Sequence, residues 1–208
     1  MSTILTEDFS DMKKDFPYKF DGHDKQGRPL LTVDFGSWDL DGAAERGQID
    51  RSLRYYDRIL DEAEHKLLDL QHQGKNVTQF VWLINQDNKA SISLAASRAY
   101  WHYATVYEKQ HPGSGTRILM INSPSIFSSA MSAIRPLLSQ ESNDIFDNYA
   151  DEKEWKPIVL DLVDADQLSP SYGGTKGTGK SKILAGTFHG DANKPGSWSW
   201  PKFFGPRH

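Results

Sequence analysis

The stretch that best matches a catalytic motif lies near the carboxyl end of the chain and is rich in glycine. Residues 174–181 read G-T-K-G-T-G-K-S, which fits the phosphate-loop pattern G-x-x-x-x-G-K-[ST] in full. A phosphate loop works because it joins a buried strand to a helix whose N-terminal amides face the phosphate groups. Here the polar residues 169–172 precede the match, and Gly186, Gly190 and Pro195 follow it. The match is preceded by no predicted strand and followed by no predicted helix. We therefore interpret it as accidental and do not predict a nucleotide-binding enzyme from it.

No other set of residues has the spacing of a catalytic or metal site. The seven histidines are scattered without an H-E-x-x-H or H-x-x-E-H pattern, and no G-x-S-x-G nucleophile elbow occurs. The lack of cysteine excludes disulfides, thiolate chemistry and cysteine-ligated metal. A net charge of −4 supplies no overall basic field for nucleic acid. We therefore expect a protein that is no enzyme, holds no metal and binds no nucleic acid.

Hydrophobic periodicity predicts alternating strands and helices. Residues 30–35 and 77–84 are predicted to be strands, and the second is too apolar for an exposed sheet. The continuous apolar run at residues 118–121 is typical of a strand buried on both faces. Between them, residues 49–70 carry apolar side chains at alternating spacings of 4 and 3, and residues 91–109 form a second helical pattern. This order of three strands and two intervening helices corresponds to two βαβ units that share their middle strand. The predicted fold class is therefore α/β, with a mostly parallel sheet.

The helix that follows the strand at residues 118–121 is unusually poor in charge. Ser123 and Pro124 offer a capping hydroxyl and a proline at the first helical position. From residue 118 to residue 138, the only charged side chain is Arg135. Prolines, an asparagine and five serines argue against a membrane-spanning helix. Two interpretations stay open on periodicity alone, an ordinary core helix or a helix that covers an apolar pocket. The residues on its apolar face are Phe127, Ala130, Met131, Ile134 and Leu138.

Four motifs in chain order resemble those of the CRAL-TRIO lipid-binding domain family. G-H-D-K-Q-G-R-P at residues 22–29 is similar to the family's D-x-x-G-R-P, and N-S-P-S-I-F at residues 122–127 to its N-x-P-x-x-F. I-R-P-L-L at residues 134–138 resembles I-K-P-F-L, and L-S-P-S-Y-G-G-T at residues 168–175 resembles L-P-x-x-Y-G-G-T. The resemblance implies that the sheet floors an apolar pocket and that the charge-poor helix is a mobile gate helix over it.

The resemblance also implies a division of the chain into three parts. Residues 1–16 are a polar, acidic N-terminal arm, expected to be loose or to form a short helix, and residues 17–175 are the lipid-binding domain. The motifs resemble animal members most closely. Those members continue into a β-sandwich GOLD domain, whereas here a basic, aromatic tail occupies residues 176–208. Counted from Gly173, this end of the chain carries six basic residues and one acidic residue, a net +5. It predicts transient contact with anionic membranes.

The function implied by the resemblance is the binding and transport of a small hydrophobic ligand, such as a lipid, tocopherol, retinoid, carotenoid or sterol. The ligand is expected to be held without covalent bonds, and no other cofactor is expected. A ligand-sensing regulatory module and a phosphatidylcholine transfer protein are the alternatives. Without a leader sequence at its start, the protein is expected to be cytoplasmic and peripheral to membranes. The predicted pocket residues, for each of which plain core packing is the competing interpretation, are Phe80, Trp82, Ile84, Tyr100, Tyr103, Tyr107, Met120, Phe127, Met131, Ile134, Leu137 and Leu138.

Two positions favour a neutral ligand over phosphatidylinositol. Family members that bind phosphatidylinositol place a glutamate after the Tyr-Pro that precedes the third strand, and a lysine before the Ile-Phe that follows the gate. The corresponding residues here are Gly113 and Asp144. Glycine has no side chain to accept a hydrogen bond from inositol, and aspartate would repel the phosphate. A further departure from the family is Gln86, which stands where aspartate is common.

Overall fold

Five strands form one sheet in the computed structural model, which describes residues 3–87 and 93–178. The sheet order follows the chain from β1 to β5. β1 pairs antiparallel with β2, and the three remaining pairs are parallel. The predicted α/β class with a mostly parallel sheet is therefore confirmed. The strands are β1 (Tyr18–His23), β2 (Pro29–Asp34), β3 (Phe80–Asn85), β4 (Gly115–Ile121) and β5 (Phe146–Asn148).

The described part of the chain contains six α-helices. α2 joins β2 to β3, and α3 joins β3 to β4, as the two predicted βαβ units require. The short helix α1 lies between β2 and α2, where the sequence shows no helical periodicity. It begins at the Asp39 carboxylate, which accepts a hydrogen bond from the Gly42 amide. The helices are α1 (Leu40–Glu45), α2 (Ile49–His72), α3 (Leu94–Gln110), α4 (Ser125–Ile134), α5 (Gln140–Ile145) and α6 (Glu152–Leu162).

Alternate residues of the central strand β3 belong to two different hydrophobic cores. Because successive side chains of a strand point to opposite faces, Phe80, Trp82 and Ile84 lie in the core shared with α2, α3 and α4. Val81 and Leu83 lie in the opposite core with α6. All six residues of β3 are buried, which explains the continuous apolar run in the sequence. The sheet thus separates a large core from a smaller one.

Residues 3–16 pack into the large core, which corrects the expectation of a loose arm. Phe9, Met12 and Phe16 are each at most 1% exposed. Phe9 contacts the ring of Tyr55 on α2 with centroids 5.4 Å apart. Two acidic residues of the segment bind the arginines of α2, with Arg51 paired to Glu7 and Asp11 and Arg54 paired to Glu7. Burial of the three apolar side chains therefore outweighs the polar composition that favoured a loose arm.

The connection from β4 to α4 is fixed by one asparagine. Asn122 has φ = 55°, the only positive φ at a non-glycine residue in the described chain, and asparagine tolerates this region better than most residues. Its amide group donates to Asn85 Oδ1 at 2.9 Å, and its amide oxygen accepts from Trp155 Nε1 at 2.9 Å. The turn that starts α4 is thereby tied to the end of β3 and to α6.

Several sequence-based expectations concern residues outside the described ranges. The tail from residue 179 to residue 208, with its five aromatic side chains, lies there, as do residues 88–92. Among the described residues, no helix is both long and apolar enough to cross a membrane. The same residues contain no group of histidine and carboxylate side chains arranged to hold a metal ion.

Candidate ligand-binding cavity

A cavity of about 50 Å³ lies between the sheet and the helices that cover its larger core. β2 and β3 form part of its floor, α2 and α3 form its walls, and α4 closes it. None of the residues that line it is charged. They are Val33, Phe35, Trp38, Tyr56, Trp82, Ile84, Gln86, Tyr100, Tyr103, Ala104, Tyr107, Met120, Met131, Ile134 and Phe146.

The structure places eight of the twelve predicted pocket residues around this cavity. They are Trp82, Ile84, Tyr100, Tyr103, Tyr107, Met120, Met131 and Ile134. Phe80, Phe127 and Leu138 are buried in the same core but do not line the cavity. Leu137 is half-buried in the 3-10 turn Arg135–Leu137 that follows α4. The strand and helix periodicities therefore bring most of the set together.

Sequence reasoning missed seven lining residues. Phe35 is the last residue of the strand predicted over residues 30–35, and Trp38 follows three residues later. Their rings contact Tyr100 and Tyr103 of α3. Tyr56 was recognised only as part of the apolar face of α2. Its ring stacks on Tyr103 with centroids 3.9 Å apart. The one polar residue of the set is Gln86, whose departure from the family pattern was the available signal. The seven are Val33, Phe35, Trp38, Tyr56, Gln86, Ala104 and Phe146.

The tyrosines of the cavity wall are held as neutral phenols. Burial raises the pKa of Tyr56 and of Tyr103 well above the ordinary value of 10, and it also raises the pKa of Tyr100 and of Tyr107. The cause is the loss of hydration of the phenolate, because no cation lines the cavity to stabilise it. The wall therefore presents aromatic faces and neutral hydroxyl groups at every physiological pH.

Comparison with known proteins decides the family. The family model for the CRAL/TRIO domain matches residues 13–174. This chain belongs to the CRAL/TRIO domain family. The crystal structure of Sfh5 matches with a TM-score of 0.64 at 12% sequence identity, covering 85% of this chain and 60% of that chain. At that identity the likeness concerns the fold alone, and the chain spans about 60% of the length of the protein it matches. CRAL/TRIO proteins bind and transfer small lipophilic ligands.

The CRAL/TRIO gate helix corresponds to α4, which has two distinct faces. Phe127, Met131 and Ile134 are buried beneath it, and its serines 128, 129 and 132 are exposed. No ion pair within the described residues involves α4. The prediction that Ser123 caps the helix is wrong. Pro124 is the N-cap, and the Ser123 hydroxyl is buried without a hydrogen-bond partner.

The two positions that carry the phosphatidylinositol anchors in some family members have acidic surroundings here. Gly113, with φ = 73°, ends the turn before β4. Asp144 is exposed on α5, where it accepts a hydrogen bond from Gln140. A Cβ atom at position 113 would lie 3.7 Å from the Glu141 carboxylate. Both positions therefore face negative charge and offer no basic group for a phosphate.

Proposed function

We propose that this protein binds and carries a neutral hydrophobic small molecule in the cavity beneath α4, without catalysis. The observation that carries the proposal is the lining itself, which is mostly aromatic and entirely uncharged. Ligand pockets for lipophilic molecules are lined in this way, with a few polar groups that fix the ligand's orientation. Tocopherols, retinoids, carotenoids and sterols fit this description, and the proposed setting is cytoplasmic, with transient contact at membrane surfaces.

The gate helix has to move to admit such a ligand. Pockets that hold drug-sized molecules measure roughly 300–1,000 Å³, whereas this cavity measures about 50 Å³. β3 is hydrogen-bonded to a neighbouring strand on each side, and separating these strands would break several hydrogen bonds at once. α4 is held by apolar contacts without ion pairs, and it is therefore the element that opens.

The proposal favours a neutral ligand over phosphatidylinositol. A phosphate headgroup would meet Asp144 and Glu141 at one edge of the domain and no cation in the cavity. Phosphatidylcholine, whose headgroup has no net charge, is the phospholipid that remains compatible. Apo-protein equilibrated with vesicles of phosphatidylinositol, phosphatidylcholine and α-tocopherol should recover little phosphatidylinositol. Its stoichiometric recovery would contradict the proposed neutrality of the ligand.

Native purification tests the proposal directly. Protein isolated from its natural source without denaturant and extracted with organic solvent should yield about one lipophilic molecule per chain, identified by mass spectrometry. A matched control is Met131→Asp, which places a carboxyl group on the inner face of α4 and should yield none. Failure to recover a stoichiometric lipophilic molecule from the unaltered protein would overturn the proposal.

A second measurement separates a carrier from a ligand sensor. A carrier accelerates exchange of its ligand between donor and acceptor vesicles, because the gate opens at each membrane. A regulatory module that only senses occupancy needs no such acceleration. We expect acceleration. We also propose that this chain resembles the animal branch of the family.

A further inference from the structure

Four polar atoms without hydrogen-bond partners are gathered on residues that line the cavity. Within the described residues, ten buried side-chain nitrogen and oxygen atoms lack a partner. Four of them belong to the cavity lining, namely Trp82 Nε1, Gln86 Oε1 and the hydroxyl oxygens of Tyr100 and Tyr103. These residues are between 1% and 7% exposed. Buried polar atoms in proteins are almost always paired, so four unpaired ones on residues that line a single cavity point to a partner outside the chain.

The donor and acceptor character of the four atoms differs. The Trp82 indole nitrogen can only donate, the Gln86 carbonyl oxygen can only accept, and the two tyrosine hydroxyls can do either. The Gln86 side chain is oriented by its amide nitrogen, which lies 3.8 Å from Met120 Sδ. An N–H group facing sulfur is attractive, whereas an oxygen there would face the sulfur lone pairs. The carbonyl oxygen is therefore the atom left for a ligand.

The backbone holds Gln86 in place at the end of the sheet. The backbone nitrogen of Gln86 donates to the backbone carbonyl of Ile121 at 3.0 Å, which extends the β3–β4 pairing by one residue beyond Asn85. The strand alternation then puts Gln86 on the same face as Trp82 and Ile84. An acceptor held this rigidly binds a donor with little loss of side-chain entropy.

We infer that the ligand carries a free hydroxyl group, bound by Gln86 as acceptor and by one or more of Trp82, Tyr100 and Tyr103 as donor. This rests on the proposed function and narrows it to neutral amphiphiles that combine one hydroxyl with a large apolar body, such as isoprenoid alcohols, chromanols and sterols. A hydroxyl satisfies an obligate acceptor and an obligate donor at the same time. The burial-raised pKa of Tyr100 and Tyr103 keeps both phenols able to donate.

Other head groups match the four atoms less well. A carboxylate or phosphate finds no cation in the lining, and it cannot donate to Gln86. An ester, ether or aldehyde accepts from Trp82 and the tyrosines but leaves Gln86 Oε1 without a donor from the ligand. A hydrocarbon leaves all four atoms unsatisfied. Sites built to bind a hydroxyl discriminate strongly against analogues that lack it, because their own polar groups are then left unpaired.

A double-mutant cycle on ligand and protein tests the inference. Dissociation constants for all-trans-retinol and for its methyl ether are measured by fluorescence with the full chain and with Gln86→Leu. The unaltered protein should bind retinol about tenfold more tightly than the ether, the effect of one buried hydrogen bond. In Gln86→Leu this ratio should fall to about one. Ser129→Ala, on the exposed face of α4 and outside the cavity lining, should keep the ratio.

Each outcome of the cycle supports or overturns the inference. Equal binding of alcohol and ether by the unaltered protein would overturn it and leave the proposed function standing. A preference that persists in Gln86→Leu would show that the methyl group is rejected by its size, and it too would overturn the assignment to Gln86. If neither retinoid binds, the lipid that co-purifies with the protein is treated with a silylating reagent, which reacts with free hydroxyl groups. An extracted hydrocarbon or ester refutes the inference and a silylated alcohol supports it, while the lack of any lipid refutes the proposed function as well.

Discussion

Replacing Met131 with aspartate tests whether the inner face of α4 meets a ligand or belongs to a permanent core. Met131 is 6% exposed and lines the cavity, where no lining residue is charged. An aspartate at this position must either take up a proton or force α4 away from the sheet. We expect Met131→Asp to lose ligand binding at neutral pH while the domain stays folded.

The size of the defect follows from the cost of protonating the carboxyl group. An aspartate with an ordinary pKa of about 3.9 takes up a proton at pH 7 at a cost of ~4 kcal/mol, since each pH unit is worth about 1.4 kcal/mol. Loss of the buried methionine side chain adds about 1.5–3 kcal/mol. The total of about 6 kcal/mol is comparable with the whole stability of a small domain. Opening α4 avoids this cost more easily than global unfolding, because no ion pair of the described chain holds it.

The defect should depend on pH in a defined direction. The carboxyl group has a higher pKa beneath the closed gate than in the open form, so the closed form gains stability as the pH falls toward the ordinary pKa and loses it as the pH rises. Lowering the pH from 7 to 5 should recover ~2.7 kcal/mol, which is about 100-fold in affinity. Met131→Asn, which has a side chain of similar size that cannot ionise, should show no such recovery.

The assay is the dissociation constant for all-trans-retinol at pH 5 and pH 7, with far-UV circular dichroism to monitor folding. Ser129→Asp is the matched control, because Ser129 lies on the exposed face of the same helix. It should bind like the unaltered protein. If Met131→Asp is unfolded, or if it binds as Met131→Asn does at both pH values, the position of Met131 beneath a movable gate is refuted.

Three further predictions concern the core, the gate junction and the tail. Because burial raises the pKa of Tyr56 and Tyr103 well above 10, the native state holds protons that the unfolded chain releases. The free energy of unfolding should therefore fall above pH 10, by up to ~2.7 kcal/mol per pH unit for the pair. Urea titration measures it, and Tyr103→Phe should lower the slope by up to ~1.4 kcal/mol per pH unit, the share of one proton. Asn122→Ala, which loses two hydrogen bonds and places alanine at positive φ, should destabilise the domain by about 2–4 kcal/mol. Asn122→Gly, which removes only the side chain, should cost about 1 kcal/mol less in the same urea assay. Deleting residues 179–208 should weaken sedimentation with anionic vesicles and leave that with neutral vesicles unchanged; equal binding by the full and shortened chains would contradict the role of the tail.

The parts of the fold that could be predicted are those in which one element carries its own periodic signal. β3, β4, α2 and the buried face of α4 each show such a signal, and the βαβ rule then orders them in the sheet. β1 was missed because it is an edge strand, in which half-buried and exposed residues alternate without a run of large apolar side chains. Its pairing with β2 is visible only in the assembled sheet.

The N-terminal segment has an apolar spacing in its sequence that indicates burial. Phe9, Met12 and Phe16 are spaced by 3 and 4 residues, which indicates one apolar face. The acidic residues around them suggested a solvated arm, yet those carboxylates bind arginines of α2. Likewise, Phe35 and Trp38 reach the cavity from a non-periodic turn. Contacts of this kind depend on tertiary structure, and no local pattern encodes them.

The alternation of β3 between two cores has a consequence for how ligand preference can change during evolution. Phe80, Trp82 and Ile84 share the large core with the cavity, whereas Val81 and Leu83 pack against α6. Substitutions at the even-numbered positions can therefore alter the shape of the cavity without loosening the contacts that hold α6. New ligand preferences should arise at every second residue of this strand, while the residues between them remain constrained by stability alone.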